Sequence, residues 1–185
     1  MTFHKHWINL LNKAATGAQK TRTLLTPIGL TIFGVFTALF VFAAIFADRL
    51  LSLPRILPEG ASLPVSIPLI SVGLAVTVWS AIHFLKVQGT PVPFNPPQKV
   101  VNTGPYSYAR NPMLTGVFLV LFGLGFSINS FSLVLFFTPL YVFINVWELK
   151  NIEEPELIKR FGDEYVEYRR ITPMFIPKCR SKSKL

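Results

Sequence analysis

From Thr23 to Ala47, between Arg22 and Asp48, 25 consecutive residues carry no charge. About 20 apolar helical residues are enough to cross the hydrocarbon core of a bilayer. The stretch is too long for the apolar part of a cleaved signal peptide, roughly 7 to 15 residues, so it predicts an uncleaved membrane helix. A second stretch, Gly60 to Leu85, is interrupted only by His83 and closed by Lys86. Its prolines, Pro64 and Pro68, fall near the start, where a helix tolerates them best. A third, Asn111 to Trp147, has 37 uncharged residues, too many for one untilted span and enough for two short ones parted by Ser127-Ile128-Asn129-Ser130. The expected fold is all-α: an integral membrane protein with four transmembrane helices, at 23–47, 61–85, 112–127 and 131–149, the last two a helical hairpin.

Composition supports this reading. Apolar residues make up 51% of the 185, charged residues only 15%, and mean hydropathy is +0.47, which excludes a disordered or nucleic-acid-binding tail. The net charge of +9 comes from cations that flank the apolar segments. With four spans, Lys5, Lys13, Lys20 and Arg22, then Lys86, Lys99 and Arg110, then all nine basic residues after Trp147 share one side, and only Arg49 and Arg55 lie opposite. The positive-inside tendency places that side, with both termini, in the cytoplasm. Short length and the lack of a targeting signal point to a bacterial cytoplasmic membrane, with the endoplasmic reticulum as the alternative. The single Cys179 permits no intrachain disulfide and no multi-cysteine metal site. It is not fourth from the end, so there is no prenylation signal.

The rest of a single domain, 1–185, arranges itself around the spans. Residues 1–22 form a basic leader in which Trp7, Ile8, Leu10, Leu11, Ala14 and Ala15 recur at helical spacing, the pattern of an interfacial amphipathic helix or of a frayed leader. The basic tail 178–185 suits anionic lipid, at about 1 kcal/mol per cation near the surface.

Two cytoplasmic segments, 86–111 and 150–177, are longer and more particular than connectors need to be. The first carries Gly89-Thr90-Pro91-Val92-Pro93, Pro96-Pro97 and Gly104-Pro105-Tyr106 before Arg110-Asn111-Pro112, a stiff, shaped loop able to offer backbone groups to a ligand. Arg110 stands at the mouth of the third span, where a guanidinium can clamp a carboxylate; a boundary arginine reaching for the interface has the same pattern. The second carries Glu153-Glu154, acids able to receive an ammonium or two ribose hydroxyls, or to neutralise Lys150, Lys159 and Arg160. Pro155 predicts a bend or restart, Gly162 a second break and Asp163 a cap, so the segment should fold back.

The ordered set Gly89-Thr90-Pro91-x-Pro93, Pro96-Pro97, Gly104-Pro105-Tyr106, Arg110-Asn111-Pro112-Met113, Glu153-Glu154-Pro155-x-Leu157, Phe161-Gly162, Tyr165, Tyr168 and the closing Pro173 and Pro177 resembles the isoprenylcysteine carboxyl methyltransferase and phospholipid methyltransferase superfamily, over about half the chain. The resemblance implies a membrane methyltransferase that uses S-adenosylmethionine. It implies cofactor contacts from Gly104, Pro105, Tyr106, Arg110, Asn111, Pro112, Glu153 and Glu154, with Arg110 and Glu154 as the catalytic pair. Tyr165, Tyr168 and Arg169 would close or support the site. Leu114 stands where relatives commonly have tyrosine, and Asn111 where many have histidine. Gly116 and Gly123 share a helix face, and Gly123-Leu124-Gly125 is similar to a short glycine motif of phospholipid methyltransferases, although close helix packing explains them as well. His83 fits either a base or an interfacial anchor.

Methyl transfer from a sulfonium is an in-line displacement that needs alignment and dryness rather than a metal. A carboxylate acceptor, ionised above a pKa of about 3.3 to 3.7, needs no base, and none stands out in the sequence. The expected acceptor is therefore a carboxylate on an isoprenylcysteine-like or other lipidic molecule entering from the bilayer. The alternatives are a phospholipid amine, an NADPH-dependent sterol-type reductase, or a non-catalytic membrane subunit.

Overall fold

The computed structural model describes residues 19–86 and 97–176, with side chains from 26 onward. The amphipathic leader motif, the stretch Gly89–Pro96, Pro177 and the basic tail lie outside the described residues. Within them the chain is all-helical: α1 (Gln19–Leu50), α2 (Ser62–Lys86), a 3-10 turn (Gly104–Ser107), α3 (Pro112–Ser127), α4 (Thr138–Glu148), α5 (Glu154–Phe161) and α6 (Asp163–Ile171). Three helices, Thr26–Leu50, Ser62–Lys86 and Leu133–Phe161, are long and apolar enough to cross a membrane, and Pro112–Ser127 is a shorter apolar one. At 1.5 Å per residue its 16 residues reach about 24 Å, less than the hydrocarbon thickness. The exposed faces of α1 and α2 are nonetheless apolar, with Ile32, Leu39, Phe42 and Phe46, then Leu63, Ile67 and Val78, turned outward, as lipid-facing surfaces require.

Alpha2 and α3 approach through glycines. A Cβ on Gly73 would lie 2.6 Å from the Gly116 carbonyl oxygen, and one on Gly123 would lie 2.6 Å from Ile70 Cγ1. Gly125 meets Val134 in the same way across the reversal at 128–130, so the glycine face packs helices, as small residues do in lipid. Tyr141 is fully buried at the centre. Its hydroxyl is 2.8 Å from Thr37 Oγ1, and its ring lies 5.5, 5.3 and 6.2 Å from Phe36, Phe40 and Phe118.

The segment 133–161 differs from expectation. At Pro155 the α-helix restarts as α5 without leaving the helical path, and the reversal comes at the expected second break, Gly162, with φ +59. Asp163 is the first residue of α6, and Gly162 takes the cap position without a side-chain cap. Two π turns explain the continuity. Leu133–Phe137 precedes Thr138-Pro139, and Leu149–Glu153 precedes Glu154-Pro155. A proline in a regular α-helix lacks a donor and collides with the carbonyl four residues back. The extra residue in each π turn moves that carbonyl aside, and Glu154 N–H closes the wider turn onto Leu149 O.

At the end of the bundle away from Arg110, Asp48 caps the start of the fourth apolar helix. It accepts hydrogen bonds from Ser130 Oγ and, at 2.8 Å, from Ser132 N–H, while Ser130 Oγ accepts from Leu133 N–H at 3.1 Å. Asn129, at φ +57, binds Leu57 N–H and O at 2.9 and 3.1 Å and Ser62 Oγ at 3.2 Å. Asp48→Ala leaves these donors unmatched and should cost about 1–2 kcal/mol. Thermal unfolding in detergent should show the lowered midpoint, with Asp48→Asn intermediate between the two.

Candidate functional site

The loop entering α3 is fixed backbone-first. Gly104 has φ +58, and a Cβ there would sit 2.7 Å from the His83 ring, so the turn requires glycine on both counts. His83 Nε2 lies 2.9 Å from Thr103 Oγ1, which anchors the loop to the end of α2. Pro105 starts the 3-10 turn, and Tyr106 packs edge-on against Phe84 at 4.6 Å. The chain after α6 then crosses the loop as a strap: Arg110 N–H donates to Pro173 O at 2.8 Å and Asn111 N–H to Met174 O at 3.0 Å. Phe175 packs on Phe118 at 5.6 Å. Pro112 begins α3 at a position that needs no donor.

Arg110 and Glu154, from distant parts of the sequence, meet at 3.0 Å with side chains only 10% exposed each. Arg169 approaches the other oxygen of Glu154 at 3.6 Å. The Arg110–Glu154 contact is an ion pair without hydrogen-bond alignment: Arg110 Nε and Nη1 and Glu154 Oε1 have no hydrogen-bond partner, and neither does the buried Tyr106 Oη. Glu154 thus pairs with Arg110 and Arg169. Burial raises the hydroxyl pKa of Tyr106, Tyr165 and Tyr168 above the ordinary tyrosine range. The neighbouring Tyr168 and Glu153 groups add to this at Tyr106, and Glu154 and Glu153 add at Tyr165. All three stay protonated and can donate.

A cavity of about 590 Å³ opens at this pair. Its polar wall carries Tyr106, Arg110, Asn111, Glu153, Glu154, Tyr165 and Tyr168; its apolar wall carries Gly29, Leu30, Ile32, Phe33 and Phe36 of α1 with Leu114 and Val117 of α3. Gly104, Pro105 and Pro112 shape the loop without lining the cavity, and Arg169 reaches Glu154 from outside it. Leu114, at the position noted for a missing tyrosine, gives the wall an apolar surface.

Other wall residues are not among the site residues expected from sequence: Lys99, Asn145, Glu148, Glu156 and Arg160. Glu156 and Arg160 pair at 3.1 Å with helical spacing that could have revealed them, and Arg160 Nη1 also donates to Pro97 O at 3.2 Å. Glu148 is the first charge after the 37 uncharged residues. The hydrogen bonds of the strap run through its backbone, so they leave no side-chain signature.

Tyr168 Oη donates to Tyr106 O at 2.7 Å, tying α6 to the loop under Arg110. Tyr168→Phe should cost about 0.5–1.5 kcal/mol of stability and loosen ligand binding a few-fold through the loop. Thermal unfolding and calorimetry on the same preparation check both.

A family model described as phospholipid methyltransferase matches residues 63–164. Methanethiol S-methyltransferase of Crocosphaera subtropica is 28% identical over 102 residues, 55% of this chain and 36% of that protein. The protein-S-isoprenylcysteine O-methyltransferases of Schizosaccharomyces pombe and Saccharomyces cerevisiae are 34% and 35% identical over 79 residues, 42% of this chain and 33% and 32% of theirs. The chain therefore spans about a third of the length of these curated relatives.

Proposed function

The chain belongs to the phospholipid methyltransferase family, and from that premise we propose that it transfers the methyl group of S-adenosylmethionine to a hydrophobic acceptor. One observation carries the proposal: a single cavity joins unsatisfied buried polar atoms to an apolar helix wall. Its volume lies in the range of small-molecule sites. The donor set fits the cofactor. Arg110 Nε and Nη1 suit the carboxylate of its amino-acid part, Glu154 Oε1 and Glu153 suit ribose hydroxyls or the ammonium, and Tyr106 Oη offers a further donor. Asn111 contributes to the same wall, with Gly104, Pro105 and Pro112 holding the loop in shape.

When bound, the cofactor supplies a methyl group on a sulfonium, ready for in-line displacement. The residues of this chain bind, align and exclude water. Arg110 and Glu154, as the catalytic pair of the proposal, fix the cofactor end. Tyr165, Tyr168 and Arg169 support that pair from α6, and the α1 side of the wall receives the hydrocarbon of the acceptor from the bilayer. In this reading the protein is a multi-pass membrane protein with four spans, α3 being the short third one, and the cavity and both termini face the cytoplasm. The bacterial cytoplasmic membrane is the setting we favour.

Calorimetry on the purified protein in detergent tests the cofactor. Saturable binding of S-adenosylmethionine, with no response to NADPH, is the expected result. Binding of NADPH alone would support a reductase, and binding of neither would support a non-catalytic subunit.

A further inference from the structure

Four glutamates line the cavity: Glu148, Glu153, Glu154 and Glu156. Arg110 and Arg169 answer Glu154, and Arg160 answers Glu156. The side chains of Glu148 and Glu153 have no hydrogen bond or ion pair with a described residue; Glu153 adjoins Glu154 at the polar end, whereas Glu148 stands a turn further into an apolar helix, where an unmatched carboxylate is costly and is usually kept for function. The remaining cation on the described wall, Lys99, is exposed.

Helix geometry accounts for where Glu148 faces. In a regular α-helix residues five apart point about 140° away from one another. The π turn Leu149–Glu153 takes up one more residue per turn, so Glu148 and Glu153 both reach the cavity wall. Below Glu148 on the same helix come Ile144 and Asn145, also on the wall, and the Asn145 amide is already committed to Tyr141 O at 2.8 Å. Glu148 thus stands between the polar end of the cavity and its apolar wall. A second observation points to a ligand: Tyr106, only 5% exposed, lines the same cavity within the field of Glu153, and its hydroxyl has no partner.

We propose that Glu148 is the proton acceptor of the methyl transfer, and that it selects a hydrophobic acceptor whose nucleophile arrives protonated, an amine or a thiol, over a carboxylate. The proposal rests on the methyltransferase reading above. A proton on the nitrogen or sulfur of the acceptor moves to a Glu148 oxygen. The freed lone pair forms the bond to the methyl carbon, the methyl–sulfur bond of the cofactor breaks with its electrons left on sulfur, and Glu148 then releases its proton to solvent. An ionised carboxylate has no proton to give and would meet the uncompensated Glu148 as a like charge. The expectation of a carboxylate acceptor, drawn from sequence, rested on finding no base.

The test uses the full chain in phosphatidylcholine nanodiscs with methyl-labelled S-adenosylmethionine. Three probes are offered separately: phosphatidylethanolamine, dodecanethiol and S-farnesylated N-acetylcysteine. Label should enter the amine or the thiol, which of the two naming the nucleophile. Glu148→Gln should lower that transfer about 100-fold or more with cofactor affinity unchanged, and Glu148→Asp should recover part of it. Label on the farnesylated carboxylate alone, full transfer by Glu148→Gln, or loss of cofactor binding in that variant would each overturn the proposal. Cofactor binding by the unmodified chain is scored before any probe is added; its absence overturns the methyltransferase reading itself.

Discussion

Replacing Glu154 with glutamine should weaken S-adenosylmethionine binding by about 10- to 100-fold, the loss of one hydrogen bond to a charged group, roughly 1.5–3 kcal/mol. The amide keeps the shape of the side chain but removes the charge that holds Arg110 at 3.0 Å and Arg169 at 3.6 Å. Arg110 is then left 10% exposed beside a neutral group, and uncompensated burial of that kind also destabilises a fold. Calorimetry must therefore be read beside a thermal midpoint. Arg110→Met removes the other partner and should lower affinity at least as much. If both variants stay folded and bind the cofactor as tightly as the parent, the pair is a structural bolt and not a ligand clamp.

Gly116→Ala should be the most disruptive single methyl group in the bundle. Its Cβ would stand 2.3 Å from Thr77 Oγ1, 2.5 Å from the Gly73 carbonyl oxygen and 2.9 Å from Thr77 N. Two of those atoms are backbone, so α2 and α3 must separate, at a cost of about 1–3 kcal/mol or more. Since α3 begins directly after Arg110, the shift should also reach the cavity. Gly123→Ala meets Ile70 Cγ1 at 2.6 Å but the nearest backbone atom, Ile70 N, only at 3.1 Å, and should cost less. Gly34→Ala has nothing within 4 Å and should change little. Thermal midpoints in one detergent test that order; equal midpoints for Gly116→Ala and Gly34→Ala would contradict the close packing.

Much of this architecture is legible because a bilayer leaves a coarse signature. Uncharged runs marked α1 and α2 to within a few residues, and Ser127–Ser130 marked the reversal after α3. The partners of the polar residues left no such signature. Asp48 reads as the charge that ends a span, yet it caps another helix, because only the folded chain brings Ser130 and Ser132 beneath it. Pro155 reads as a break; whether a helix bends there or absorbs the proline in a π turn depends on what the next turn packs against. That choice also sets the direction of Glu148, so its place on the cavity wall was hidden for the same reason. Arg110 and Glu154 were paired in advance by an ordered set of motifs and not by periodicity. Pro173 belongs to that ordered set, but the bonds from Arg110 and Asn111 to the Pro173 and Met174 carbonyls use the backbone alone and leave no pattern in the sequence.

The most direct measurement is methyl transfer itself: the full chain in membranes, incubated with methyl-labelled S-adenosylmethionine, followed by extraction of the lipid fraction. The predicted result is label in that fraction from the parent protein, reduced to background by Arg110→Met and by Glu154→Gln. A folded parent protein that neither retains the cofactor nor labels any lipid-soluble molecule would contradict the account.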